Sequence, residues 1–342
     1  MTQTDCTDAA APAARQPNAT VALPPLEKRY DDAPLETLLA DPHVLAVFGF
    51  GGDAPAIGAD PRYFRVALQP VDAHAPFEVW RSARAVAIGV DDDLRWSDDG
   101  FYRVGLLEVD EAAHGGIAAA AEYAYRRLSA ALEAGPAAHL LRCWNYLDAI
   151  NVGDGDEERY RQFCNGRAAG MLRIEAGYPA ATAIGVRDGR RVLQVYWLAA
   201  RAGGAAFENP RQVSAWRYPR QYGPTPPSFA RAMRAPTLVP QVYISGTAAV
   251  VGHASHHDDD FAAQLDETLK NLDSLLATTG VPEASRFGTR SLLKVYVRRA
   301  TDAALARARL RERLPAGTPF LLLQGDVCRR ELLVEIDGIQ SV

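Results

Sequence analysis

Cysteine is scarce in this sequence: only Cys6, Cys143, Cys164 and Cys328 occur, widely spaced and with no Cys-x-x-Cys pair. That excludes a zinc knuckle and a disulfide framework, and the thiols read as reduced. An excess of positive charge is missing too, for the formal net charge is -5 and the pI about 5.8. A nucleic-acid surface needs clustered Lys and Arg, so the expected partner is a small molecule. No apolar run approaches the roughly 20 residues of a membrane helix, and the N-terminus lacks a basic start followed by an apolar stretch. A membrane partner is therefore not expected, and the cytoplasm follows by default. The glycines of GFGGDAPAIG, near Phe48, lack the G-x-G-x-x-G order and a following helix, and there is no Walker A loop. Nothing asks for a nucleotide.

What is present is a globular composition, 48% hydrophobic and 23% charged over 342 residues. One compact core rarely grows to that length, so two packed domains are expected. Residues 1–25, rich in Ala, Thr and Pro, read as a disordered tail. An N-terminal sheet-and-helix domain is expected over 26–235 and a second domain over 236–342. Between Val44 and Val109, the runs VLAVFGF, FRVALQPV and YRVGLLEV are broken by Gly, Asp and Pro, as strands joined by loops are. Ile117, Tyr125, Leu128 and Leu132 recur at helical spacing over 111–135. A second helix is expected over 156–171, carrying Arg161 and Arg167. Further on, Phe261, Leu265, Leu269, Leu272 and Leu276 form an amphipathic helix closed by Gly280 and Pro282. The strands LLKVYV and FLLLQ/ELLVEIDGI flank another helix over 301–313. The fold class is α/β, with mixed sheets layered by helices.

In ELLVEID, Glu335 interrupts an apolar run, with Leu332, Val334 and Ile336 expected to point one way and Leu333 and Glu335 the other. Burial penalises the charged carboxylate and so makes an acid competent near neutral pH. The alternative is an edge strand with Glu335 in solvent. The cluster His253, His256 and His257, followed by Asp258 to Asp260, has metal-like spacing, but no further ligand is indicated. The Asp run sits where a helix N-cap belongs, so no metal is expected.

Residues 239–342 resemble the RidA/YjgF fold: QVYISGTA its first strand and turn, 264–280 its Q-x-x-x-x-x-x-N helix, and CRRELLVEID its closing strand. RidA proteins place a functional glutamate in that strand, at the position of Glu335. Three further segments widen the resemblance, namely RYRQFCNGR (159–167), NPRQVSAWRYPRQYGPTPPSFARA (209–232) and SGTAAVVGHASHH (245–257). Together they are similar to the signature of the chorismatases over 143–342; the N-terminal third carries no such motif. The resemblance implies two RidA/YjgF-like mixed sheets. It also implies an enzyme that cleaves chorismate to pyruvate and hydroxybenzoate, chiefly the 3-isomer with 4-hydroxybenzoate as a possible co-product, without a cofactor.

Chorismate is a dianion and calls for fixed cations. Guanidinium groups bind carboxylates bidentately, and Tyr hydroxyls add directional donors. Arg217, Tyr218, Arg220, Tyr222 and Arg231 offer both within one segment, which Pro224, Pro226 and Pro227 stiffen. By resemblance, Tyr218 and Arg231 are the first candidates to contact substrate, with Tyr222, Arg161 and Arg167 beside them and Glu335 as the acid. Gly246 and Cys328 stand where chorismatases that form hydroxybenzoate carry a small residue and a Cys. Read without the resemblance, Cys328 is an inert buried thiol in an apolar strand. The rival functions are a RidA-like deaminase of imines or enamines and a non-catalytic metabolite-binding protein. Whether the chain is a monomer or a homo-oligomer stays open.

Overall fold

The computed structural model describes residues 22–171 and 177–342. Of the tail expected over 1–25, residues 1–21 lie outside the described residues, Cys6 among them. A first sheet has the order β1-β5-β2-β3, built from β1 (Glu27–Asp31), β2 (Val44–Phe50), β3 (Tyr63–Val66) and β5 (Phe77–Arg81). The short helix α1 (Leu35–Ala40) packs beside it, and β4 (Gln69–Pro70) leaves to pair at the edge of the third sheet.

The second sheet arises from β6 (Ala87–Asp91), β7 (Leu94–Asp98), β8 (Tyr102–Asp110), α2 (Glu111–His114), α3 (Ile117–Ala134), β9 (His139–Asp148), α4 (Arg159–Gly170), β10 (Ala180–Val186) and β11 (Val192–Ala200), in the order β10-β9-β11-β8-β7-β6. The helix expected over 111–135 is two, because Gly115 and Gly116 both take positive φ, at 83° and 113°. The third sheet comes from β12 (Ala205–Phe207), β13 (Ala232–Arg234), β14 (Gln241–Ala248), the hairpin β15 (Val250–Val251) and β16 (Ala254–Ser255), α5 (Phe261–Thr278), β17 (Ser291–Val297), α6 (Ala303–Arg313), β18 (Phe320–Gln324) and β19 (Val334–Ser341). Its order is β12-β13-β14-β19-β17-β18-β4. A boundary at 235 would pass between β13 and β14, which are hydrogen-bonded neighbours in this sheet.

Apart from β4 and the β15–β16 hairpin, the second and third sheets share one topology. Each runs three antiparallel strands, helix, strand, helix, then a strand parallel to the last, then a closing strand inserted between the third and fourth. The expected pair of like mixed sheets is thus an internal duplication. The two sheets meet face to face through an aromatic core that includes Trp144, Tyr146, Tyr196, Tyr243 and Tyr296. Helices α3 and α4 cover the outer face of one, α5 and α6 that of the other. In α5, Phe261, Leu265, Leu272 and Leu276 are buried as the spacing predicts, and the Asp260 carboxylate caps the helix by accepting from the Ala263 amide at 3.0 Å.

Candidate active site

Glu335 lies in β19, which is an inner strand between β14 and β17, so the edge-strand alternative fails. The predicted alternation holds from Val334 onward: Val334 and Ile336 join the core under α5 and α6, while Glu335 and Asp337 face the opposite sheet. Upstream it breaks, because 332 and 333 precede the strand and Leu333 joins the same core as Val334. The Glu335 side chain is 5% exposed, and among the described residues no group donates a hydrogen bond to it. Desolvation pushes its carboxyl up to about 8, helped by Asp337 and opposed by Arg142, Arg231 and Arg298.

The space for that carboxyl is made by Gly246. Between Ile244 and Thr247 the register of β14 against β19 gains one residue, a bulge that Ser245 fastens. The Ser245 hydroxyl donates to the Ala230 carbonyl at 2.5 Å and accepts from the Ala181 amide at 2.9 Å. A Cβ on Gly246 would overlap Glu335 Oε1 and stand 2.8 Å from its Cδ. Expected to border the substrate, Gly246 also cradles the candidate acid.

Around the carboxyl opens a cavity of about 470 Å³, lined by all eight residues singled out from the sequence: Glu335, Tyr218, Arg231, Arg161, Arg167, Gly246, Cys328 and Tyr222. They come from both halves of the duplication, α4 on one side and β14, β19 and the β18–β19 loop on the other. Segment 209–232 closes the third side as an ordered loop with two single-turn helices, Ala215–Arg217 and Arg220–Tyr222. It is tied down by Asn209 to the Asn271 carbonyl (2.8 Å), by Arg211 to Glu267, and by the Val213 amide to Gly252 (2.8 Å).

The cations divide into two groups. Arg161 is engaged by Glu158 at 3.2 Å, and Arg330 reaches Asp154 at 3.4 Å, so both are compensated at the rim. By contrast, Arg167, Arg231 and Arg329 make no ion pair among the described residues. Arg231 is buried, and its Nη2 donates to the Tyr218 hydroxyl at 2.6 Å and to the Val213 carbonyl at 3.0 Å, while Nε has no partner. Arg167 is fixed because Gly166 and Gly170 press α4 onto α3, where a Cβ on Gly166 would stand 2.7 Å from the Ala118 carbonyl carbon. Its guanidinium stacks over Tyr125, with Nε and Nη2 unpartnered. Buried guanidinium nitrogens without acceptors are costly and suit an anionic ligand. With Glu335 protonated, five lining arginines face only Asp154, Glu158 and Glu331. Two positive charges remain uncompensated.

Arg217 and Arg220 are exposed and do not line the cavity; Arg220 pairs with Asp156. The sequence reading missed Arg329, whose guanidinium stacks over Tyr222 at 3.9 Å and Tyr218 at 5.1 Å. Its position in CRRELLVEID, six residues before Glu335, was the available signal. It also missed Tyr160 and Thr182, which line the cavity from α4 and β10. Cys328 sits in the β18–β19 loop and not in a strand. Burial, with Glu335 second, pushes its thiol up to about 12, against a nucleophilic role. The histidines diverge: His253 Nδ1 lies 3.3 Å from the Tyr222 hydroxyl, and His257 Nε2 3.4 Å from Glu267.

Known proteins share this fold. The family model for the N-terminal part of FkbO/Hyg5-like chorismatases matches residues 78–199. A 3-hydroxybenzoate synthase of Streptomyces hygroscopicus is 36% identical over 280 residues, 77% of this chain and 81% of that protein. A chorismatase of Streptomyces rapamycinicus is 35% identical over 77% of this chain and 81% of its own length. A crystal structure of a chorismatase superimposes with a TM-score of 0.82 at 30% identity, covering 94% of this chain and 99% of that one. With relatives of this identity covered over 81% of their length, the chain belongs to the chorismatase family.

Proposed function

We propose that this enzyme cleaves chorismate to hydroxybenzoate, chiefly the 3-isomer, and pyruvate, with Glu335 as the acid. The observation that carries the reading is a buried carboxyl, held protonated near neutral pH, at the floor of a cavity with two uncompensated positive charges. A dicarboxylate matches that excess. Arg231 and Tyr218 clamp one carboxylate, and Arg167 and Arg329 supply cations for the other.

The Glu335 carboxyl gives its proton to the enolpyruvyl methylene, and positive charge develops on the ether carbon. The bond between the ring and the ether oxygen then breaks as pyruvate forms its ketone. The neighbouring ring hydroxyl displaces the leaving group from within the molecule, and the resulting epoxide opens and loses a ring proton to become aromatic. The proton lost by the displacing hydroxyl returns the carboxyl to its starting state. Atoms balance without water, because hydroxybenzoate and pyruvate together have the composition of chorismate. The protein's task is positioning and exclusion of water. The cytoplasmic setting expected from the sequence belongs to this proposal; free Cys143, Cys164 and Cys328 suit a reducing compartment.

The test is incubation of purified protein with chorismate and chromatographic separation of the products. Stoichiometric pyruvate and hydroxybenzoate support the reading; intact chorismate after long incubation refutes it.

A further inference from the structure

Two residues beyond Glu335 on the same face of β19 stands a second carboxylate, wholly sealed between the sheets. Asp337 is ion-paired to Arg142 of β9 at 3.0 Å and lies 3.7 Å from Lys294 of β17. Its Oδ2 also accepts from the Thr182 hydroxyl (2.7 Å), Tyr296 hydroxyl (2.9 Å) and Trp144 indole (3.0 Å). Its Oδ1 is buried with no hydrogen bond. Lys294 is shared with Glu78 at 2.9 Å, which fixes it from the first sheet. Thr182 lines the cavity, so this network reaches the floor of the site.

A structural role alone explains an Arg142–Asp337 pair poorly, since buried ion pairs gain little over apolar packing. Its placement beside the candidate acid has a chemical consequence. Arg142, Arg231 and Arg298 all act on Glu335, from β9, from the residue before β13 and from the residue after β17, and each favours its ionised form. Tyr160 of α4 and Cys328 of the β18–β19 loop also face it, and both stay neutral because burial raises them. Asp337 is the nearest fixed negative charge on the same strand face, about 7 Å along the strand.

We propose that Asp337 is a positioning residue for the reaction: locked in place by Arg142, Thr182, Trp144 and Tyr296, its negative charge holds the proton on Glu335 against the surrounding arginines. The proposal rests on the reading of Glu335 as the acid. Asp337 accepts four hydrogen bonds; Glu335 accepts none from the described residues.

The experiment compares the pH profile of kcat/KM and the infrared titration of the Glu335 carboxyl, taken as a difference against Glu335→Gln, in full-length protein. Asp337→Asn keeps an acceptor for Thr182 and Tyr296 while removing the charge. It is expected to move the alkaline limb and the infrared titration down by about one pH unit or more, with turnover recovering at acid pH. Arg142→Met is expected to move both up, and the double variant to return them towards wild type. A role in folding alone would lower activity equally at every pH and shift nothing. Should Asp337→Asn alone not fold, the double variant, which removes the whole pair, decides by whether its profile lies below that of Arg142→Met. Unmoved profiles, or a shift of the same sign in both variants, overturn the proposal. If Glu335→Gln retains full turnover, the assignment of the acid fails instead, and the carboxyl titration still reports whether Asp337 governs its proton.

Discussion

Replacing Glu335 by Gln separates binding, catalysis and stability in one variant. At neutral pH the working carboxyl is protonated, held up to about 8 against an ordinary 4.5. Gln matches that neutral form in size and charge, so the two uncompensated positive charges of the cavity persist. KM for chorismate should therefore stay near that of the wild type while kcat falls at least on the order of a hundredfold, as loss of a positioned proton donor does. Stability should move the other way. The folded carboxyl binds its proton more tightly than the unfolded one, so each pH unit between 4.5 and about 8 removes about 1.4 kcal/mol from folding. Gln carries no such penalty. At pH 7 the variant should be more stable by about 3 kcal/mol, the advantage vanishing near pH 4 and levelling off above pH 8. Urea melts at pH 5, 7 and 8.5, with steady-state kinetics at each, measure both effects. Near-normal turnover would refute Glu335 as the acid; a stability difference independent of pH would refute the raised proton affinity.

Arg231→Ala should raise KM steeply and Arg231→Lys should restore little, because a point charge cannot both hold Tyr218 and present a fork; kinetics in which Lys equals Arg would refute bidentate binding. In oxygen-18 water the wild type should yield unlabelled phenol by mass spectrometry, as internal displacement retains the ring oxygen; incorporated label, or a mainly dihydrodiol product, would refute that route. Gly246→Ala should fold, since its Cβ meets the movable end of Glu335, yet displace the carboxyl and let water attack gain a share of product, read by chromatography. Dialysis against a strong chelator should leave activity unchanged, and elemental analysis that found a required metal would overturn the balance of charges described for the cavity.

The candidate site was legible in the sequence chiefly through the family resemblance, which is carried by local segments with unusual content. A glutamate inside ELLVEID, an arginine- and tyrosine-rich stretch stiffened by three prolines, and a glycine in SGTA are each conspicuous without a fold. Helical periodicity located α5, since a 3.6-residue period survives in one dimension, while strands were marked by short apolar runs. Other features depend on residues far apart in the chain. That Arg167 lies over Tyr125 with no carboxylate to pair with depends on how α4 packs on α3. That Gly246 cradles Glu335 follows from a bulge in the pairing of β14 with β19, strands far apart in the chain. The duplicated topology was implied by the resemblance alone, because the pairing of distant strands leaves no motif in the N-terminal third. Asp337 was invisible for the same reason. Its partners Arg142, Trp144, Thr182 and Tyr296 come from three strands in two sheets, and only tertiary packing brings those four donors to one carboxylate.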